Sequence, residues 1–226
     1  MNKILKRTLI GLGAAIILLV CTVVFVLVKL SIKTNTILDD YSGIYHDAKY
    51  HDVVSVDNAT FIKQDVSCGY AVIEMFAKWA GKTEITEQSL YDSYGKVVTS
   101  TGNSFEKEMN KQFPEYKTTM YRYLKNTELI DKVYTSLAQG IPVPFEWAAK
   151  NEGEWTLHYS LITAMDAPND LIVIQNPYGY EERITINEFL DRTSFKAYEN
   201  MPLFLKLGFA FDVFEKNTIF IAIKKD

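Results

Sequence analysis

The sequence predicts an α+β domain with an antiparallel sheet, carried behind one membrane-crossing helix. Three observations lead there. An uncharged apolar run lies close to the N-terminus, the hydrophobic period changes after Gly140 from helical to strand-like, and the strands follow the helices in chain order. At 226 residues, 48% of them apolar and 23% charged, the chain has material for one packed domain plus an appendage.

The appendage comes first. Thr8 to Val28, TLIGLGAAIILLVCTVVFVLV, is 21 residues without a charge, enough to cross a hydrocarbon core of about 30 Å as a helix. The span is expected over about residues 8–30. Lys3, Lys6 and Arg7 precede it, which places the N-terminus in the cytoplasm and the domain outside, although Lys29 and Lys33 follow. A cleaved signal would have a shorter apolar region and a small-residue cleavage site, whereas this run ends in KLSIKTNT. A lipoprotein signal would set small residues before Cys21, and Leu18-Leu19-Val20 does not. Residues 1–33 therefore read as cytoplasmic N-terminus and membrane anchor, with Cys21 a small apolar residue facing lipid. Residues 34–60 read as a polar stalk, and 61–226 as the folded domain.

Charge and cysteine usage narrow the classes. Outside the first 33 residues stand 19 basic and 28 acidic side chains, a net charge of −9. Such a domain is unsuited to nucleic acid and repelled by anionic headgroups. Its single thiol, Cys68, cannot form an internal bridge in a compartment where disulfides form. With one thiol and two of the three histidines, His46 and His51, in the polar stalk, a zinc site is not expected, nor any cofactor.

From Cys68 the apolar residues Ala71, Val72, Met75, Phe76 and Trp79 fall on one helical face, and Gly81 ends that helix. Helical patterns follow at 84–94, 102–113 and 126–138, with Gly140 as the cap of the last. IPVPFEW, LHYSLITAM, DLIVIQN and TIFIAIKK then read as strands, with a short helix at 185–192.

Within this frame Cys68 opens a helix, where free N–H groups favour thiolate and lower the thiol pKa below about 8.5. A buried structural cysteine fits the same residue equally well. A nucleophilic cysteine needs a base and the base needs an orienting group. His158 lies in the strand LHYSLITAM and Asn176 ends the next. In a hairpin turning at Ala167, His158 lies directly opposite Asn176 on one face. Glu146, Glu152 and Glu154 flank the strand before His158 and fit the lining of a cleft or, more simply, solvated surface. Trp147, Trp155, Tyr159 and Tyr178 fit a substrate groove or, more simply, core packing.

The order Cys–His–Asn, with the cysteine opening the first helix and His and Asn on a following sheet, resembles the papain-like cysteine peptidases. Gln64, SCGYA at 67–71, GIPV at 140–143, HYSLI at 158–162 and NPYG at 176–179 are similar to motifs of the bacteriocin-processing double-glycine peptidases and their stand-alone relatives. The resemblance spans about residues 60–190. It implies a papain-like fold and hydrolysis of a peptide or protein substrate through a thioester. Cys68 would be nucleophile, His158 base and acid, and Asn176 the orienter of the imidazole, where that branch more often has Asp. Gln64 would donate to the oxyanion together with the Cys68 backbone N–H. Gln64 stands only four residues before Cys68, closer than in the family pattern, and a lone extracytoplasmic domain does not imply cleavage at a Gly-Gly site. The alternatives are a cell-wall amidase or endopeptidase of the same superfamily, and a tethered binding module that keeps the fold without turnover. Oligomeric state is not legible.

Overall fold

The computed structural model describes residues 3–35, 39–196, 201–211 and 213–225. The chain divides into two compact units, one of residues 1–36 and 201–214, the other of 37–200 and 215–226. In the first, α1 (Lys3–Asn35) is the one described helix long and apolar enough to cross a membrane, over Ile10–Lys29. A second helix, Leu203–Ala210, packs against it.

The larger unit is built on a sheet. After two short 3-10 turns, β1 (Val54–Ser55) leads to α2 (Cys68–Trp79), α3 (Glu87–Tyr94) and α4 (Gly102–Gln112). Then follow β2 (Tyr116–Tyr121), α5 (Asn126–Ala138), β3 (Val143–Asn151), β4 (Glu154–Asp166), β5 (Leu171–Asn176), β6 (Tyr180–Ile184) and α6 (Ile186–Thr193). The helix of the first unit is α7 (Leu203–Ala210), and β7 (Thr218–Lys224) closes the chain. The strands lie in the order β2-β7-β3-β4-β5-β6, β1 pairs with β4, and every pairing is antiparallel.

Alternation along the strands splits the core between two faces. Phe145 and Trp147 of β3 join Leu129, Val133 and Phe189 from α5 and α6. Tyr159 and Leu161 of β4 join Val72, Phe76, Phe105 and Met109 from α2 and α4. The segment expected to be a stalk contributes Ile44, Tyr50 and Val54 to the first of these cores.

The β4–β5 register corrects one expectation. Leu161 pairs with Gln175, and after a bulge between Ile162 and Ala164 the ladder continues to Asp166 opposite Leu171. The turn is centred after Ala167 and the bulge absorbs a residue, so Asn176 is displaced by two positions from the residue facing His158. A two-residue shift keeps the same face of the sheet, and the two side chains still meet.

Candidate active site

The thiol is delivered by the loop before α2. Ser67 caps the helix, its Oγ accepting from the Tyr70 N–H at 3.2 Å. The loop itself hangs on one carboxylate. Glu87, at the first turn of α3, accepts from the backbone N–H groups of Asp65 and Val66 at 2.8 Å each, and of Ser67. The Glu87 N–H in turn donates to Glu74 of α2 at 2.7 Å. Gly69 is required by crowding, since a Cβ there would stand 2.3 Å from the Thr99 hydroxyl.

Around the Cys68 sulfur are the backbone N–H groups of Tyr159, Gly69 and Cys68 itself, which favour thiolate as expected of a helix start. Burial outweighs them. It pushes the thiol up to about 11, with the Glu146 carboxyl adding to the rise, so the expectation of a lowered pKa is reversed. Glu146 also departs from its expected place on a solvated surface. It is 1% exposed on β3, and burial together with the Glu215 charge pushes its carboxyl up to about 8.

The imidazole side is held by side chains. His158 Nε2 lies 3.1 Å from Asn176 Oδ1, and both residues are buried. The Asn176 Oδ1 also accepts from the Tyr178 N–H at 2.9 Å, while its Nδ2 donates to Glu182 at 3.0 Å and to the Tyr180 hydroxyl at 3.3 Å. Those partners fix which end of the amide is oxygen, and an oxygen at that end makes Nε2 the protonated nitrogen. Nδ1 is thereby the basic one. Glu182 pairs with Arg192, which donates to the Ala148 carbonyl at 2.9 Å and lies 3.6 Å over the Trp147 ring. Tyr178 covers the imidazole, with ring centroids 4.1 Å apart and planes 15° from parallel. Burial, opposed by the Asn176 hydrogen bond and aided by the Arg192 charge, lowers His158 to about 3.

Gln64 reaches the same region through its backbone, its N–H donating to the Pro177 carbonyl at 2.8 Å. Its side-chain oxygen is buried without a hydrogen-bond partner. Gln64, Lys63, Asn151, Glu152, Pro177 and Tyr178 line a cleft of about 400 Å³. The structure thus joins His158 to Asn176, Gln64 to the residue after Asn176, and Cys68 to the backbone of the residue after His158. His46 and His51 are exposed elsewhere. Of the four aromatics considered for a groove, Trp147 and Tyr159 are core residues, and Tyr178 is the one at the site.

The sequence profile of the Peptidase_C39 like family matches residues 54–202. The chain belongs to that family. This Peptidase_C39-like chain is also similar to two solved peptidase structures. One is a double glycine motif protease from an AMS/PCAT transporter in complex with its leader peptide, 14% identical, with a TM-score of 0.45, over 77% of this chain and 100% of that one. The other is the peptidase domain of Streptococcus ComA, a bifunctional ABC transporter involved in quorum sensing, 15% identical, with a TM-score of 0.48, over 74% of this chain and 99% of that one. No curated protein matches the chain. The α+β class with an antiparallel sheet expected from the sequence is the one this Peptidase_C39-like member adopts.

Glu87, Glu182 and Arg192 were not singled out from the sequence. For Glu182 a signal existed: a tight hairpin at NPYG places it two pairs beyond Tyr180, on the strand face that Asn176 occupies. Glu87 and Arg192 carry no comparable signal, because their partners are brought together only by the tertiary fold.

Proposed function

We propose that this chain is a membrane-anchored, extracytoplasmic cysteine peptidase with Cys68, His158 and Asn176 as its triad. The observation that carries the proposal is the buried His158–Asn176 hydrogen bond under Tyr178, which leaves Nδ1 free to work as a base. Membership of a peptidase family and Cys68 at a capped helix start support the nucleophile.

In the resting state burial keeps both partners uncharged, a thiol and a neutral imidazole. The reaction would begin when a peptide brings its scissile carbonyl carbon against Sγ. As the C–S bond forms, the thiol proton passes to His158 Nδ1 and the carbonyl oxygen becomes an oxyanion. The free N–H of Cys68 and the Gln64 amide serve as its donors, each worth about 3 kcal/mol of transition-state stabilisation. Collapse breaks the C–N bond, the leaving amine takes the Nδ1 proton, and a thioester remains. Water then attacks it, giving its proton to Nδ1, and the carboxylic acid departs as the thiol is restored. Asn176 keeps Nε2 protonated throughout, and Tyr178 shields that hydrogen bond from water.

The test uses the full chain in detergent with a mixed peptide library and mass-spectrometric readout. Cleavage by wild type and none by Cys68→Ala, with unchanged thermal unfolding, is the expected result. Equal cleavage by both would overturn the triad. The raised thiol pKa favours one second reading, a binding module without turnover. It predicts peptide binding, no cleavage, and iodoacetamide alkylation of Cys68 that rises only at alkaline pH and ignores His158→Ala.

A further inference from the structure

The segment 201–214, MPLFLKLGFAFDVF, interrupts the catalytic unit between α6 and β7 and groups with α1. Ten of its fourteen residues are apolar, and four of these are phenylalanine. It is a built structure. The N–H groups of Val213 and Phe214 turn back onto the Gly208 carbonyl at 2.9 and 3.3 Å. A Cβ at Gly208 would stand 2.4 Å from the Phe214 ring, so that ring occupies the space a side chain would take. Leu205, Phe209 and Ala210 are buried.

Its other face is apolar as well. Leu203 and Phe204 are 69% and 67% exposed, and Phe211 and Val213 49% each. A short helix in water sets polar residues opposite its buried stripe. In α7 that side carries leucine and phenylalanine, with Lys206 as the exposed charge. Elsewhere in the described chain, exposed apolar side chains are gathered this densely only along α1. Such clusters mark interaction surfaces. What covers this one is indicated by its neighbour, since α7 packs against the helix of membrane-spanning length.

We infer that residues 201–214 are a second membrane contact, with α7 seated in the interfacial region of a phospholipid bilayer beside α1. Leu203, Phe204, Phe211 and Val213 enter the boundary of the acyl chains, and the Lys206 ammonium extends toward the headgroups. The inference rests on α1 being retained as the anchor and is independent of turnover. The catalytic unit is then joined to membrane-bound chain at three points, near residues 36, 200 and 214.

The test reads depth by fluorescence. Full-length chain carrying Phe204→Trp is reconstituted into phosphatidylcholine vesicles whose lipids are brominated either near the headgroup or near the chain ends. Leu18→Trp reports α1, and Phe61→Trp reports an exposed apolar position of the catalytic unit. Wild-type signal from the native tryptophans is subtracted. The expected result is quenching of the Phe204→Trp signal several-fold stronger with shallow bromines than with deep ones, deep quenching of Leu18→Trp, and none of Phe61→Trp. If Leu18→Trp is quenched while Phe204→Trp behaves like Phe61→Trp and is reached by aqueous iodide, the inference is overturned and the anchor stands. If Phe204→Trp escapes both quenchers until the protein is diluted in lipid, a second copy of the chain covers the face, and the inference again fails. Absence of quenching in Leu18→Trp removes the anchor and this inference together. Peptide cleavage by the same samples scores the catalytic proposal separately.

Discussion

The two halves of the candidate site are held by different means. His158 sits in a chain of side-chain contacts through Asn176, Glu182 and Arg192 to Trp147, buried and roofed by Tyr178. Cys68 is held by backbone, through a capped helix start and a loop whose N–H groups converge on Glu87. The first arrangement dictates a tautomer and an orientation, which side chains do well because each amide end can be told apart. The second dictates a position, which backbone does well because it has few rotors to freeze.

The largest effect should come from cutting the imidazole half at its far end. Arg192→Ala leaves Glu182 without its cation, removes a hydrogen bond to Ala148 and empties the space over Trp147. Loss of one partner of a buried pair costs about 3–5 kcal/mol, read as a fall in the urea midpoint. The His158 Nε2–H resonance should broaden as well. A sharp resonance and an unmoved midpoint would mean that Asn176 orients the imidazole without that support.

A smaller effect is expected at the thiol half. Glu87→Ala releases three N–H groups of a partly exposed loop that water can re-satisfy, so the net loss is about 1.5–3 kcal/mol, the worth of one bond to a charged acceptor. Alkylation of Cys68 should accelerate as the loop loosens, while the Nε2–H resonance stays. Were both halves to respond together, the site would be one unit rather than two.

The smallest effect is a pH signature that separates them by sign. His158 is lowered to about 3 from 6.5. Between those values the unfolded chain binds the extra proton, so its contribution to stability falls by about 1.4 kcal/mol per unit as pH drops from 6.5. Glu146 is raised to about 8 from 4.5. There the folded chain holds the extra proton, and stability falls by a similar slope as pH rises from 4.5 to 8. The two cancel between 4.5 and 6.5. From pH 6.5 to 8 the Glu146 slope stands alone, and Glu146→Gln should abolish it in urea titrations. A slope that survives the substitution would assign the titration to another group.

How much of this was legible depends on the range of the interaction. Ser67, Cys68 and the stripe from Ala71 to Trp79 fix a helix start by local rules, and the helix begins there. His158 and Asn176 were placed on a shared face by alternation, which survives a register error of two. Alternation says nothing of bulges, so the facing residue was misassigned. Glu146 looked like surface because its burial depends on what packs over β3. The α7 helix has no legible signal, since eight residues are too short for a period to read and its partner helix is remote in sequence.

The burial of the Cys68 sulfur has a consequence for durability. Thiolate, not thiol, is the nucleophile that attacks peroxide and disulfides. A thiol pushed up to about 11 is held overwhelmingly in its protonated form at pH 7. A lone thiol held this way resists sulfenylation and mixed-disulfide formation while idle. It becomes oxidisable only when something in the cleft, or a loosened loop, lets its charge form.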